Sequence, residues 1–363
     1  MRYYLPFPHQ GQASLSNRSE QVTFGGALEK STRSVLIVDD YEPWRRFMLS
    51  TIQKWPGLQI LGEAADGLEA VLKSQQLRPD LIVLDIGLPK INGIEVARQI
   101  RQHLPNATIL FCSDNRSPDI AEEALRTGVG YLVKSDAASD LLPAVASAIG
   151  GRRFVSRTLA GHTFGDSSES GPVRCRRHAV EFYRDDAHLL DEIATLFEGS
   201  YAEGLSVAAI VTSSHRSGLE KRLAGQNIDV SDATRRGRLC MFDANRALSE
   251  IMEPAGLNRE RALSELGNIL GKLKAATAAT NCETVVFGEM APMLWAQKQY
   301  DAAIRLEALW NEVAPADFSI YCAYPMQTPG DGQTVLHYAE ICAQHSHVVP
   351  ALADVGRPPS PGA

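Results

Sequence analysis

The chain has 363 residues, more than one ordinary α/β domain needs, and its length predicts two domains. With 44% hydrophobic and 22% charged residues, its composition is globular and excludes wholesale disorder. No apolar run approaches the roughly 18 residues of a transmembrane helix, and the first residues do not resemble a signal peptide. The six cysteines include no CxxC pair, which is typical of reduced thiols. We therefore expect a cytoplasmic protein that does not interact with membranes.

The net charge of −7 is unevenly distributed along the chain. Residues 34–157 are nearly neutral, with 14 basic and 15 acidic side chains, whereas residues 158–363 carry 18 basic and 26 acidic side chains. Most nonspecific affinity for nucleic acid comes from neutralising phosphates with basic side chains. The acidic back half therefore argues against direct DNA binding.

In residues 34–150, short apolar runs alternate with segments of helical periodicity. The predicted strands cover residues 35–38, 58–62, 80–85, 107–113 and 130–134. Helices are predicted to follow them, up to residue 55 and then over residues 67–77, 93–103, 118–127 and 138–149. This alternation predicts a parallel sheet with a flavodoxin-like (βα)5 arrangement.

The rest of the chain divides into four segments. Residues 1–33 lack a sustained apolar period and are predicted to be a disordered arm. Residues 151–177 are rich in Gly, Ser and Arg and are predicted to be a linker. Residues 178–350 form a second α/β pattern, and residues 351–363 are predicted to be a disordered tail.

Polar residues end four of the five front-half strands. They are Asp39 and Asp40 after the first strand, Asp85 after the third, Ser113 after the fourth and Lys134 after the fifth. The carboxyl ends of parallel strands share one sheet edge, where open α/β sheets bind ligands. Three carboxylates gathered there would repel one another unless a cation neutralised them, and oxygen ligands suit Mg²⁺.

These residues carry a resemblance to the receiver domain of two-component response regulators. The matching segments are VLIVDD (35–40), LDIGLPKINGIE (84–95) and GYLVK (130–134), with the hydroxyl of Ser113. The resemblance implies that Asp85 accepts a phosphoryl group from a sensor histidine kinase, and that catalysis is limited to this self-catalysed transfer and to dephosphorylation. It also implies Mg²⁺ ligation by Asp39, Asp40, Asp85 and the main-chain carbonyl of Gly87, and phosphoryl or switch contacts by Ser113, Lys134 and Tyr131.

Two residues depart from the receiver pattern. Asp114 stands where the family usually has a small residue, and an added carboxylate there would shorten phosphoryl lifetime or slow phosphorylation. Ser135 stands where many receivers have proline, and LVKSDA (132–137) is similar to receivers that usually precede a DNA-binding domain. No basic recognition helix follows in this chain.

The back half resembles the MEDS domain, a sensory domain named from a regulator of dichloromethane metabolism. The matching segments are HAVEFYRDDAHLLD (178–191), VTSSHRSGLEKRL (211–223), FGEMAPMLWAQ (287–297), LEALWNE (306–312) and CAYPM (322–326). The resemblance implies a RecA-like fold that senses a small ligand or binds a downstream protein. The segment TSSHRSGLEK (212–221) lacks the residues of a functional P-loop.

Two weaker side-chain patterns occur in the back half. His178, Glu289 and Trp295 are candidates to line a small-molecule pocket. Cys342, His345 and His347 lie close in sequence, but this spacing alone is a weak metal signal, so we expect an ordinary thiol beside surface histidines.

The sequence therefore predicts a response regulator that couples phosphorylation at Asp85 to a sensing or interaction domain. One alternative is a transcription regulator whose back half is a non-standard DNA-binding output. Another is ATPase activity in that half. A homodimer is compatible with the sequence.

Overall fold

The computed structural model describes residues 32–159, 178–277, 283–315, 317–326 and 335–349. Nearly all of the predicted arm (1–33), most of the predicted linker (151–177) and the predicted tail (351–363) lie outside the described residues. Within the described ranges, no helix combines the length and apolar character needed to cross a membrane.

The first domain, residues 33–155, contains one six-stranded parallel sheet in the order β2-β1-β3-β4-β5-β6. Its elements are β1 (Arg33–Val38), α1 (Glu42–Ile52), β2 (Leu58–Ala64), α2 (Gly67–Leu77), β3 (Leu81–Leu84), α3 (Gly93–His103), β4 (Thr108–Ser113), α4 (Pro118–Leu125), β5 (Gly130–Val133), α5 (Ala137–Ile149) and β6 (Phe154–Val155). The order of the first five strands confirms the predicted flavodoxin-like sheet.

The apolar runs of this domain become the buried middle of the sheet. Every residue of β3 and β5 is buried, as expected for parallel strands covered on both faces. The sixth strand, β6, was not predicted: it lies in the segment assigned to the linker and pairs with β5. A strand of two residues is too short to give a hydrophobic period, which is why the sequence pattern did not reveal it.

The second domain, residues 178–349, also contains a six-stranded parallel sheet, in the order β14-β7-β13-β12-β8-β9. Its elements are β7 (His178–Tyr183), α6 (Asp186–Ala202), β8 (Ser206–Val211), α7 (Ser213–Gly225), α8 (Val230–Arg235), β9 (Leu239–Asp243), α9 (Ala244–Ile251), the antiparallel pair β10 (Met252–Glu253) and β11 (Gly256–Leu257), α10 (Arg259–Thr277), β12 (Thr284–Gly288), α11 (Met290–Ala296), α12 (Tyr300–Val313), β13 (Phe318–Pro325), α13 (Val335–Gln344) and β14 (His347–Val349). A second parallel α/β domain is thus confirmed, while the P-loop interpretation stays a prediction.

The sheet of the second domain separates two apolar cores. Leu189, Phe197 and Leu219 pack on one face, from α6 and α7. Trp295 and Trp310 pack on the other face, from α11 and α12. Residues of α9, α10 and α13 complete this second core.

Helices α5 and α13 bring the two domains into contact, and one apolar core continues from the first domain into the second. The hydroxyl of Ser147 in α5 donates to Sγ of Cys342 in α13 at 3.8 Å. Gly150, just after α5, lies so close to α13 that a Cβ there would be 2.6 Å from the carbonyl oxygen of Ala339. These contacts place the last turn of α5 directly against the second domain.

Candidate functional site

Polar residues from four strand ends meet at the carboxyl edge of the first sheet. Because β1 and β3 are hydrogen-bonded neighbours, Asp39 and Asp40 lie beside Asp85. Ser113 ends β4 and Lys134 follows β5, which continue the same sheet. In the strand order, the chain turns back on itself between β1 and β3. Open α/β sheets usually bind ligands at the carboxyl ends of the strands beside such a point. The structure therefore brings together all five strand-end residues that the sequence identified.

Lys134 joins two members of the acidic cluster, which we define as Asp39, Asp40 and Asp85. Its Nζ atom lies 2.6 Å from Oδ2 of Asp39 and 3.2 Å from Oδ2 of Asp85. Asp39 and Asp85 are buried, whereas Asp40 is exposed. Burial raises the pKa of Asp39. Burial opposes the charge of Lys134, but hydrogen bonding and attraction to both carboxylates outweigh it and raise the pKa of the ammonium.

The acidic cluster fits a magnesium ion. One oxygen from each of its three carboxylates lies within 4.8 Å of the others, and carboxylate oxygens are preferred ligands of Mg²⁺. Lys134 supplies one positive charge against three negative charges, so a divalent cation would relieve the remaining repulsion. Gly87, the predicted source of a main-chain ligand, borders a cavity that Asp40 and Asp85 also line.

The loop after β3 fixes the backbone around Asp85. The N–H of Ile86 donates to Oδ1 of Asp85 at 2.7 Å, and the N–H of Gly93 donates to the carbonyl oxygen of Ile86 at 2.9 Å. A Cβ at position 93 would lie 2.0 Å from the carbonyl oxygen of Asp85, a distance that no side chain permits. Only glycine therefore allows this loop to close behind the carboxylate.

Ser113 and Tyr131 are linked through the loop that follows β4. The N–H of Asn115 donates to Oγ of Ser113 at 3.3 Å, and the hydroxyl of Tyr131 donates to the carbonyl oxygen of Asn115 at 2.8 Å. Tyr131 is fully buried, and burial raises its pKa to about 12. Movement of Ser113 would therefore disturb the loop that holds the Tyr131 hydroxyl.

A cavity of about 740 Å³ lies above the acidic cluster. Asp85, Ser113 and Lys134 border it, so a group entering the cavity would meet the carboxylate, the hydroxyl and the ammonium together. Asp114 also borders it and is exposed, which leaves its predicted effect on phosphoryl lifetime open to test. The cavity thus gives access from solvent to a largely buried set of side chains.

His178, Glu289 and Trp295 have separate sets of contacts in the described chain, and the pocket that they were predicted to line stays a prediction. His178, at the start of β7, contacts Glu307, Cys322 and His345. Trp295 is fully buried among the rings of Tyr300, Tyr324 and Tyr338.

Glu289 has a different set of partners, at the end of β12. Its Oε2 accepts the N–H of Thr212 at 2.8 Å, and its Oε1 forms a hydrogen bond with Nδ1 of His215. Hydrogen bonding to Glu289 raises the pKa of His215. A carboxylate therefore occupies the N-terminus of α7, where a P-loop protein would bind phosphate.

Sequence reasoning did not connect four buried residues that the fold brings together in the second domain. We call His178, Glu307, Cys322 and His345 the buried cluster; one ligand atom from each lies within 4.8 Å of the others. Of the weak sequence group Cys342, His345 and His347, only His345 belongs to it. Its members are widely separated in sequence, so no spacing motif could have revealed the cluster.

Two protein-family models match this chain, one after the other. The family model for the response regulator receiver domain matches residues 35–146, and the model described as MEDS, the methanogen/methylotroph DcmR sensory domain, matches residues 177–338. The chain is 39% identical over 103 residues to the chemotaxis protein CheY of Thermotoga maritima, covering 28% of this chain and 85% of CheY.

Two further proteins are similar to part of the chain. The chain is 31% identical over 127 residues to the nitrate/nitrite response regulator protein NarL of Escherichia coli K12, covering 35% of this chain and 59% of NarL. A crystal structure of a LuxR-family two-component response regulator from Aurantimonas sp. SI85-9A1 aligns with 34% identity and a TM-score of 0.35, over 36% of this chain and 94% of that one.

Proposed function

The chain belongs to the response regulator family, with a receiver domain followed by a MEDS domain, and we propose that phosphorylation of Asp85 is its input. The observation that carries the proposal is the placement of Asp85, buried beside Lys134 and two further carboxylates at the edge of a cavity. We propose a sensor histidine kinase as the phosphoryl donor.

The geometry supports nucleophilic attack by the Asp85 carboxylate on phosphorus. A carboxylate oxygen would form the new O–P bond while the P–N bond to the donor histidine breaks and the imidazole recovers its electron pair. When bound at the acidic cluster, Mg²⁺ supplies positive charge to the phosphoryl oxygens. Lys134 adds a second positive charge, and the hydrogen bond from Ile86 orients the carboxylate. The chain thus contributes positioning and charge.

The contacts of Ser113 and Tyr131 support a switch that responds to the phosphoryl group. An acyl phosphate adds about −1.5 to −2 of charge, taking phosphoserine as a guide, together with strong acceptor oxygens. The hydroxyl of Ser113 borders the cavity. It would turn to donate a hydrogen bond to the phosphoryl group and give up its contact with Asn115. The Tyr131 hydroxyl donates to the carbonyl oxygen of Asn115. Tyr131 would therefore lose this hydrogen bond when the loop after β4 moves.

The second domain is well placed to receive this signal through α5. Lys134 follows β5, and α5 begins three residues later. The far end of α5 contacts α13, where Arg152 also donates to the carbonyl oxygen of Ala343 at 2.5 Å. We propose that the MEDS domain couples this movement to a small ligand or a downstream protein, and that direct DNA binding is not its output.

The proposal is tested by incubating the full chain with labelled acetyl phosphate and Mg²⁺. Attack by Asp85 would release acetate and leave about one label per chain, labile to base as an acyl phosphate is. We expect Asp85→Ala to remove the label and Mg²⁺ chelation to prevent it. Asp119→Asn, which changes an exposed carboxylate in α4, is the matched control and should label normally. Labelling that survives Asp85→Ala would refute the assignment.

The same preparations test the coupling of the two domains. Beryllofluoride, which mimics a phosphoryl group on aspartate, should change backbone hydrogen exchange in α5 and α13 of the wild-type chain. The Asp85→Ala chain should show no such change. Exchange that changes around the acidic cluster but not in α13 would argue against transmission through this contact.

A further inference from the structure

The four residues of the buried cluster come from four elements of the second domain. His178 begins β7, Glu307 lies in α12, Cys322 lies in β13, and His345 directly follows α13. All four are buried, and Glu307 and His345 are completely inaccessible to solvent. Imidazole, thiolate and carboxylate are the side chains that bind zinc-class metal ions.

Distances among the ligand atoms are those of a small metal cage. Nε2 of His178 lies 3.0 Å from Oε2 of Glu307 and 3.4 Å from Sγ of Cys322. Oε2 of Glu307 lies 3.6 Å from Sγ of Cys322 and 3.7 Å from Nε2 of His345. Tetrahedral zinc with ordinary Zn–N, Zn–O and Zn–S bonds would separate its ligands by about 3.3–3.6 Å. The cluster therefore needs little rearrangement to surround an ion.

The second ring nitrogen of each histidine is held by a neighbouring group. Nδ1 of His178 lies 2.9 Å from Oδ1 of Asn311, whose amide nitrogen donates to the carbonyl oxygen of Gln344 at 2.7 Å. Nδ1 of His345 lies 2.7 Å from the carbonyl oxygen of Ile341. These acceptors assign the ring proton to Nδ1 in both histidines. In the neutral rings that a metal ion requires, both Nε2 lone pairs then point into the cluster, which is the usual arrangement around metal-binding histidines.

With both rings neutral, the cluster contains more acceptors than donors. Two imidazole lone pairs and the carboxylate of Glu307 face one another. Within the described part of the chain, the Cys322 thiol and the Tyr324 hydroxyl are the donors that reach them. The Nε2 atom of His345 is buried and has no hydrogen-bond partner among the described residues. Such an atom is costly to bury, and a cation would satisfy it and the other acceptors together.

We propose that His178, Glu307, Cys322 and His345 bind one divalent transition-metal ion of the zinc class inside the second domain. Four protein ligands leave no open position, so the ion would be structural or regulatory rather than catalytic. It would join β7, β13 and α12 to the end of α13, the helix that contacts α5. This proposal goes beyond the phosphoacceptor function and does not depend on it, because it involves none of the residues around Asp85.

The first test measures zinc retained by the full chain. The protein is produced in medium with added zinc, then dialysed against zinc-free buffer that contains excess Mg²⁺ to occupy the acidic cluster. We expect mass spectrometry to find one zinc ion per chain. Production with cobalt instead should give the charge-transfer band of a thiolate bound to cobalt. Wild-type protein that retains no zinc and shows no such band would overturn the proposal.

The second test identifies the ligands by substitution. We expect His345→Ala and Cys322→Ser to weaken zinc binding at least about 100-fold, because changes to outer partners alone cost about 10–100-fold. The same reasoning predicts that Asn311→Ala, which releases the His178 ring, lowers the affinity for zinc about 10–100-fold. The matched control is Cys342→Ser: its thiol lies in the same region of α13 but contacts Ser147 of α5.

The controls separate ligation from folding and from the receiver site. Cys342→Ser should retain the full zinc content and the cobalt band. Equal loss of zinc in Cys342→Ser and Cys322→Ser would overturn the proposal, as would full binding by His345→Ala. Should a ligand variant fail to fold, the cobalt band of the wild-type chain still decides the outcome. Phosphorylation of Asp85 is measured on the same samples, so a failure of one proposal is distinguishable from a failure of the other.

Discussion

The acidic cluster of the receiver borders a surface cavity, whereas the buried cluster of the second domain is enclosed by the protein core. Both bring together side chains that bind metal ions. In the acidic cluster, Lys134 provides internal compensation for charge. In the buried cluster, the lone pair on Nε2 of His345 has no hydrogen-bond partner in the described chain. The acidic cluster can therefore keep its arrangement when no ion is bound. The buried cluster needs a cation to satisfy its unpaired acceptor.

This difference matches the task that each site is proposed to perform. A receiver gains and loses a phosphoryl group, so its groups must meet solvent, a donor and an exchangeable Mg²⁺. In this receiver, Lys134 holds the carboxylates in place when Mg²⁺ is not bound. An ion enclosed by four protein ligands would instead leave slowly and would fix the packing around it. We therefore predict that cations from solvent can partly restore the stability lost when a charged residue of the first site is substituted.

The largest expected effect is that of Lys134→Met. The substitution leaves Asp39 and Asp85 buried without their ammonium partner, and breaking a buried ion pair in this way costs about 3–5 kcal/mol. We expect saturating Mg²⁺ to restore part of this loss, since it can enter the cluster from solvent. Urea unfolding with and without Mg²⁺ measures both quantities.

A surface lysine provides the control for this substitution. Lys90→Met removes a solvent-screened ion pair with Asp66 and should leave the unfolding free energy nearly unchanged, with no added dependence on Mg²⁺. If Lys134→Met were no more destabilising than Lys90→Met, Lys134 would not be holding the acidic cluster together.

Gly93→Ala tests how closely the backbone must approach the acidic cluster. The new Cβ would lie 2.0 Å from the carbonyl oxygen of Asp85, so the loop must shift. We expect a loss of about 1–3 kcal/mol in unfolding free energy and slower labelling by acetyl phosphate. Gly199→Ala in α6 is the control: its Cβ meets no atom within 4 Å, and the change should be neutral or stabilise by up to about 1 kcal/mol. Equal effects at both glycines would contradict the close-approach argument.

The two sites also differ in how far the sequence could predict them. All members of the acidic cluster follow strands, and the strand-end rule of parallel sheets was enough to place them together. The members of the buried cluster lie at a strand start, within a strand, within a helix and after a helix. Their proximity depends on how α12 and α13 pack on the sheet. No local pattern encodes that packing.

Short elements explain most of the remaining differences from the predicted fold. The strand β14 has three residues and β6 has two, too few for a hydrophobic period. The helix α13 was not predicted either, because it is apolar on most sides and lies between two domains, which hides its amphipathic period. Because α13 was not predicted, neither its contact with α5 nor the position of His345 could be predicted.

Asp140, in the first turn of α5, is a buried carboxylate without an ion-pair partner in the described chain. It is 1% exposed, and its Oδ2 atom has no hydrogen-bond partner among the described residues. Burial raises its pKa from 3.8 to about 6. The folded state therefore holds this proton more tightly than the unfolded state does. The contribution of the protonated Asp140 carboxyl to the unfolding free energy is fully present below about pH 4 and is lost as the pH rises through about 6.

We expect Asp140→Asn to raise the unfolding free energy at pH 7 by roughly 1–3 kcal/mol relative to the wild type, because it removes the buried charge. The gain should shrink as the pH falls and vanish near pH 4, where Asp140 of the wild type is protonated in the folded chain. Unfolding curves of both proteins between pH 4 and pH 8 give this difference directly. Asp119→Asn, at an exposed position, should show no such pH-dependent gain. A gain for Asp140→Asn that stayed constant from pH 4 to pH 8 would mean that shape rather than charge determines its effect, and α5 would then carry no uncompensated charge between the two sites.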